Sequence, residues 1–146
     1  AVMRAAFCLT AAAAVLACST SLSGPPTGKH PGNAALVKSV EYPPPPAVAE
    51  VVPERPSDEA CVWVDGSWDW ISGRWEWQSG GWVKPPKGCY FRQPSMSWPQ
   101  AGALQYFPAH WYPDNVDELP PEKAQTACAA PVSCGRPAQK YVPGGR

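Results

Sequence analysis

The feature that most limits how this chain can fold is a tryptophan–glycine pattern with a period of seven. Across residues 61–83, CVWVDGSWDWISGRWEWQSGGWV, Trp63, Trp70 and Trp77 fall in step, as do Gly66, Gly73 and Gly80, and Trp68, Trp75 and Trp82. The unit is Trp-x-x-Gly-x-Trp-x, repeated three times without a gap, and it takes six of the chain's 8 tryptophans. A seven-residue period can mark a coiled coil. Here a glycine in every unit costs helix stability, and Trp at i and i+2 point to different sides of a helix, so a helix is excluded.

As strands the pattern resolves. Asp65-Gly66, Ser72-Gly73 and Ser79-Gly80 are favourable hairpin dipeptides, which makes Gly66, Gly73 and Gly80 the turn residues. The strands are then expected over 61–64, 67–71, 74–78 and 81–84. This four-strand antiparallel meander sets Trp63 opposite Trp68, Trp70 opposite Trp75 and Trp77 opposite Trp82. Side chains alternate along a strand, so all six indoles would share one face, with Asp69, Arg74, Glu76 and Gln78 on the solvent side. The expected fold class is all-β: a small antiparallel meander of short Trp-rich strands, with a long irregular Pro-rich N-terminal segment and an irregular tail.

A weaker echo follows. Tyr106 and Trp111 keep the five-residue aromatic spacing, with Ala109 where the repeat has glycine, and Tyr90-Phe91 and Met96-Ser97-Trp98 read as two more short strands. Residues 89–113 are expected to be a degenerate second half of the sheet, or a lid on it. The Trp-repeat domain therefore spans 61–113, and 114–146 is an irregular, disulfide-pinned tail.

Six indoles present roughly 900–1,500 Å² of side chain, and monomers rarely expose an apolar patch beyond about 300–600 Å². Most of that face must be covered. The candidate covers are residues 89–113, the chain's own proline-rich segments, or an external partner. The face is accordingly either a buried core or a binding platform, and the edge rings Trp63 or Trp82 are expected to stay partly exposed. A stacking platform suits a glycan or peptidoglycan, while grooves between aromatic rings suit Pro-rich peptides, of which Pro43 to Pro46 is a sample within the chain.

The N-terminus carries export signals. Arg4 precedes an apolar run from Ala5 to Ala17, too short to span a bilayer but suited to a signal-peptide core. It ends Val15-Leu16-Ala17-Cys18, which resembles the lipobox of bacterial lipoproteins. The resemblance implies a signal peptide over 1–17, a covalent lipid on Cys18 and a membrane anchor. Ser19 stands where an inner-membrane retention signal would place Asp, which implies sorting to the outer membrane, facing the periplasm or the cell surface. Residues 18–60 follow as a lipidated, disordered tether. Its nine prolines favour extended chain, and roughly 40 residues at ~3 Å each could reach ~100 Å.

Six cysteines sort by position. Cys8 leaves with the signal and Cys18 takes the lipid. Cys61, Cys89, Cys128 and Cys134 form an even set in an exported chain, which reads as two disulfides. Of the three pairings, Cys61–Cys89 with Cys128–Cys134 is favoured, because one bond brackets the repeat and the other closes a short loop. No Cys-x-x-Cys spacing occurs and His30 and His110 are isolated, so no metal or other cofactor is expected. A formal net charge of zero with 16% charged residues offers no basic surface for nucleic acid. After Cys18 there is no Ser/His/Asp set at recognisable spacing. Asp65 sits in a turn and Asp69 points away from the indoles, so the paired carboxylates of a glycosidase are not expected.

The three repeat units resemble the WXXGXW, or YXWGXW, repeat proteins of bacterial envelopes, mostly small exported proteins and lipoproteins. The match covers about 21 residues. It implies an envelope location and this repeat architecture. The excess of six indoles over their available cover is what makes the expected function a non-catalytic envelope lipoprotein whose aromatic sheet serves assembly or binding, with an envelope protein or a cell-wall glycan as partner.

Overall fold

The computed structural model describes residues 22–144; the expected signal peptide over 1–17 and the expected lipidation site Cys18 lie outside them. Strands β1 (Lys38–Val40) and β2 (Glu50–Val51) precede the repeat, which forms β3 (Val62–Val64), β4 (Ser67–Ile71), β5 (Arg74–Gln78) and β6 (Gly81–Lys84). Then come β7 (Cys89–Arg92), β8 (Ser95–Ser97), β9 (Leu104–Phe107) and β10 (His110–Pro113), and the tail adds α1 (Pro121–Thr126), β11 (Val132–Ser133) and β12 (Gln139–Lys140). The strands pair antiparallel in small sheets, so the all-β class is observed.

The strand limits of the repeat follow the expectation closely, but the pairing does not. β4 pairs with β5 and β3 pairs with β6: Trp70 faces Trp75, Trp68 faces Trp77 and Trp63 faces Trp82. These two ladders share one register, so the repeat is a single long hairpin with a gap in its middle. It is not a four-strand meander. The Trp spacing is a palindrome about Ser72-Gly73, so every glycine dipeptide chosen as the turn sets Trp opposite Trp. The sequence pattern alone cannot choose between three short hairpins and one long one.

Only the central dipeptide turns, with both residues at positive φ (Ser72 51°, Gly73 79°), as a tight two-residue hairpin turn requires. Gly66 and Gly80 are not turn residues. They lie in the gap between the ladders, where the arms approach too closely for a side chain. A Cβ on Gly80 would sit 2.8 Å from Gly66 N and from Val64 O, and one on Gly66 would meet the Trp77 ring at 2.5 Å.

The gap also divides the indoles. Trp63 and Trp68 are five residues apart, an odd number, and their rings enter different clusters. Trp70 and Trp75 pack with Val40, Leu104 and Tyr106, while Trp63 and Trp82 join Cys61, Ala138 and Cys134. Splitting the rings is the physical advantage over the meander, because no single cover has to span six of them. The expected partial exposure of the edge rings is therefore reversed: Trp63 and Trp82 are buried, and Trp68, Trp70, Trp75 and Trp77 are half-buried. All three Trp pairs meet edge to face at 5.0–5.6 Å, an arrangement worth roughly 0.5–1.5 kcal/mol each beyond burial.

Residues 89–113 repeat this architecture. β7 pairs with β10 and β8 with β9 in one register, again with a gap, here at 93–94 and 108–109. Aligned on the gaps, Cys61 corresponds to Cys89, Trp63 to Phe91, Trp68 to Met96, Trp70 to Trp98, Trp77 to Tyr106, Gly80 to Ala109 and Trp82 to Trp111. The two hairpins pack face to face. Val64 and Val83 of the first lie on Phe91 and Trp111 of the second, and Trp70 and Trp75 lie on Leu104 and Tyr106. On the outside of the second hairpin, Tyr90 and Tyr112 are covered by Ala34, Val116 and Ala124, which brings α1 and the short 3-10 turns into the core.

The disulfides are Cys61–Cys134 and Cys89–Cys128, which corrects the expected pairing. Cys61 belongs to the outer cluster with Trp63, and Cys89 to the layer between the hairpins with Phe91. The two cannot meet, so each hairpin is bonded at its first strand to the tail. The tail is thereby pinned, but it carries α1 and pairs β11 with β6 and β12 with β2.

The segment 22–60, expected to be a free tether, lies on the domain throughout. Ser23 O and Pro26 O accept the backbone N–H groups of Trp63 and Phe91, both at 2.7 Å, which are equivalent positions in the two hairpins. β1 then adds to β9, and β2 pairs with β12. Proline-rich chain cannot bury enough of itself to fold alone, but here the tryptophan sheet supplies the surface it lacks.

Candidate functional site

The rings of the first hairpin meet the chain's own proline-rich segment. Prolines have no backbone N–H, so a run such as Pro43 to Pro46 offers carbonyl acceptors and no donors. The indole is its complement, an N–H donor with no acceptor. Along the segment these groups match in order from the hairpin tip to its open end. Trp75 Nε1 donates to Tyr42 O (3.1 Å), Trp68 Nε1 to Pro46 O (3.1 Å), Trp77 Nε1 to Glu50 Oε1 (2.8 Å) and Trp82 Nε1 to Pro53 O (3.1 Å). The Tyr42 ring stands edge-on to Trp70 at 5.2 Å, and the Arg55 guanidinium lies 5.8 Å over the Trp82 ring. A fifth indole, Trp63, donates instead to Asp65 Oδ1 at 2.7 Å.

Glu50 is the pivot of this contact. Its carboxylate takes the Trp77 N–H and also the backbone N–H of Gly80 at 3.0 Å, filling the gap between the two ladders. Reading 18–60 as a tether hid this residue. The signal that could have found it is the lone acid in Val48-Ala49-Glu50-Val51-Val52, an apolar stretch with strand character.

The opposite wall is fixed by the second hairpin. Tyr106 donates its hydroxyl to Trp68 O, and its ring meets Trp75 edge-on at 4.8 Å. Burial, with a further push from the nearby Asp69 carboxylate, raises the Tyr106 phenol to about 12, so it stays a donor at any physiological pH. Asp69, expected on a solvent face, is half-buried and paired with Lys38 Nζ at 2.7 Å, which also donates to Trp70 O. Between the strap and these walls runs an apolar groove of about 430 Å³, floored by Trp68 and Trp77 and flanked by Pro44, Pro45, Met96 and Tyr106.

The arrangement can hold an extended, acceptor-rich strand by its carbonyls and pack its rings. The carboxylates near it are already engaged: Asp65 with Trp63, Asp69 with Lys38, Glu76 with Arg74 and Glu50 with Trp77. Among the described residues no group of three or more His, Cys, Asp or Glu could hold a metal ion, and no helix is long and apolar enough to cross a membrane. The predicted aromatic residues are brought together as two groups, the four rings under the strap and the Trp63–Trp82 pair. The chain was compared with protein-family models, with curated proteins and with solved structures, and none of them matches it.

Proposed function

We propose that this chain is a non-catalytic envelope lipoprotein, anchored through Cys18, whose tryptophan face is a strand-holding surface specialised for proline-rich chain. The face is occupied by the protein's own residues 42–53, so the sheet serves assembly first: it converts an export tether into part of the domain. The observation that carries this reading is the four-fold match of indole donors to Tyr42 O, Pro46 O, Glu50 Oε1 and Pro53 O. A glycan platform would need open ring faces, whereas Trp68, Trp70, Trp75 and Trp77 are half-buried and three of their N–H groups are taken by the strap. Lipidation and outer-membrane sorting rest on the Val15-Leu16-Ala17-Cys18 and Ser19 resemblance.

The test is tryptophan emission of the full-length protein, titrated with a synthetic peptide of residues 40–54, other Pro-rich peptides and peptidoglycan fragments. The expected outcome is a peptide-dependent shift, as added strand competes with the strap, and no response to glycan. A shift with glycan alone would replace this reading by the sugar-binding one.

A further inference from the structure

We propose that the tip of the second hairpin, led by Trp98, inserts into the headgroup region of the bilayer to which the chain is anchored. This rests on the lipoprotein reading of Cys18 and adds an orientation to it. Two independent observations carry it.

The first is the length of chain between anchor and domain. Ser23 is already fixed, its carbonyl accepting the Trp63 N–H, and Pro26 is fixed by Phe91. Only four residues lie between Cys18 and Ser23, a reach of about 17 Å when fully extended. A lipid on Cys18 therefore holds the domain against the membrane surface. A free tether over 18–60 would instead let it stand far off.

The second is the chemistry of the second hairpin's own distal half, which is uncharged although Glu41 follows β1 beside it and the first hairpin's tip carries Arg74 and Glu76. From Gln93 to Pro113 there is no Asp, Glu, Lys or Arg. The first hairpin carries Asp69 and Glu76 where the second has Ser97 and Gln105. At the tip, the loop Trp98-Pro99-Gln100-Ala101-Gly102-Ala103 presents an indole that is 72% exposed. Its counterpart in the first hairpin, Trp70, is half-buried against Tyr42 and Trp75. An exposed indole on an uncharged loop matches the headgroup layer, where Trp places an apolar body inward and a polar N–H toward water. Trp63, where Ser23 is held, is seven residues from Trp70 at its own hairpin's tip, as the equivalent Phe91 is from Trp98, about 23 Å along a strand. With the leash at ~17 Å, the hairpin reaches the surface inclined, not upright.

The test uses the full-length protein purified from membranes, with the mass of its N-terminal peptide measured first. It is reconstituted in phosphatidylethanolamine–phosphatidylglycerol vesicles with and without brominated acyl chains. Bromolipid is expected to quench tryptophan emission, and Trp98→Ala is expected to remove more than half of that quenching with an unchanged melting temperature. An N-terminal peptide without added lipid mass overturns the lipoprotein reading and this proposal with it. A lipidated protein whose quenching is indifferent to Trp98→Ala overturns the proposal alone. So does a Trp98-dependent dimer in detergent, which would assign the tip to a second copy of the chain.

Discussion

The two hairpins share one architecture and solve its problems with different residues. Each is a long antiparallel pair interrupted once, each begins with a disulfide-bonded cysteine, and each carries an aromatic cross-strand pair beside its gap: Trp63–Trp82 in one, Phe91–Trp111 in the other. The first closes in two residues and is laced with charge at its tip. The second closes through a longer loop and carries no charged side chain from its gap to its tip. The first fills its inner ladder with four rings and needs the proline strap to cover them; the second places Met96 and Leu104 there and leaves Trp98 outside. The recurring elements, the gap and the cysteine, are thus what the architecture requires. The tryptophans beyond the gap are what the strap requires.

The largest expected effect breaks the comparison at its shared element. The disulfides close separations of 73 and 39 residues, worth roughly 4 kcal/mol each in the chain-entropy account. Cys134→Ser and Cys128→Ser should therefore both destabilise strongly, by about 2–5 kcal/mol in denaturant unfolding, and non-reducing peptide mapping should yield Cys61–Cys134. A Cys128–Cys134 peptide would restore the local pairing and remove the idea that each hairpin is tied to the tail.

Next comes the pair of equivalent tryptophans. Trp70→Ala should cost about 3–5 kcal/mol, discounted toward the lower end because the ring is only half-buried, whereas Trp98→Ala should stay within about 0.5 kcal/mol. Similar melting temperatures for the two variants would mean that the correspondence between tips is wrong.

The smallest effect sharpens the gap itself. Ala109 stands where the first hairpin has Gly80, so one gap already accommodates a Cβ and the other does not. Gly80→Ala forces a contact of 2.8 Å on backbone atoms and should cost about 1–3 kcal/mol, while Ala109→Gly should cost only about 0.5–1 kcal/mol. Thermal melts of the two reciprocal variants decide it.

How much of this was legible in the sequence depends on which physics each feature obeys. The limits of β4, β5 and β6 were legible because alternation and glycine dipeptides are local. Their pairing was not, because a palindromic Trp spacing satisfies every glycine-centred turn equally. The roles of Gly66 and Gly80 were missed for the same reason: a glycine demanded by close approach looks identical in sequence to one demanded by a turn. The disulfides depend on which layer Cys61 and Cys89 occupy, and layers exist only after the hairpins stack. In the site, the aromatic residues were visible from composition and spacing. Glu50, Tyr42 and Lys38 were hidden, because a proline-rich stretch is judged by whether it can fold alone, and this one folds on something else.

The palindrome carries one more consequence, which is a rule of parity. Each Trp-x-x-Gly-x-Trp unit is symmetric about its own glycine dipeptide, so a chain with an odd number of units can fold around the middle one with every ring matched to a ring across the ladder. With an even number, any glycine turn leaves one unit overhanging, its two indoles without partners opposite. A hairpin of this kind can therefore lengthen through the series three, five, seven, adding one matched unit to each arm at every step. Duplication of a single unit lands between allowed lengths, and the overhang it creates is a sticky end of unpaired tryptophans that a second chain could meet.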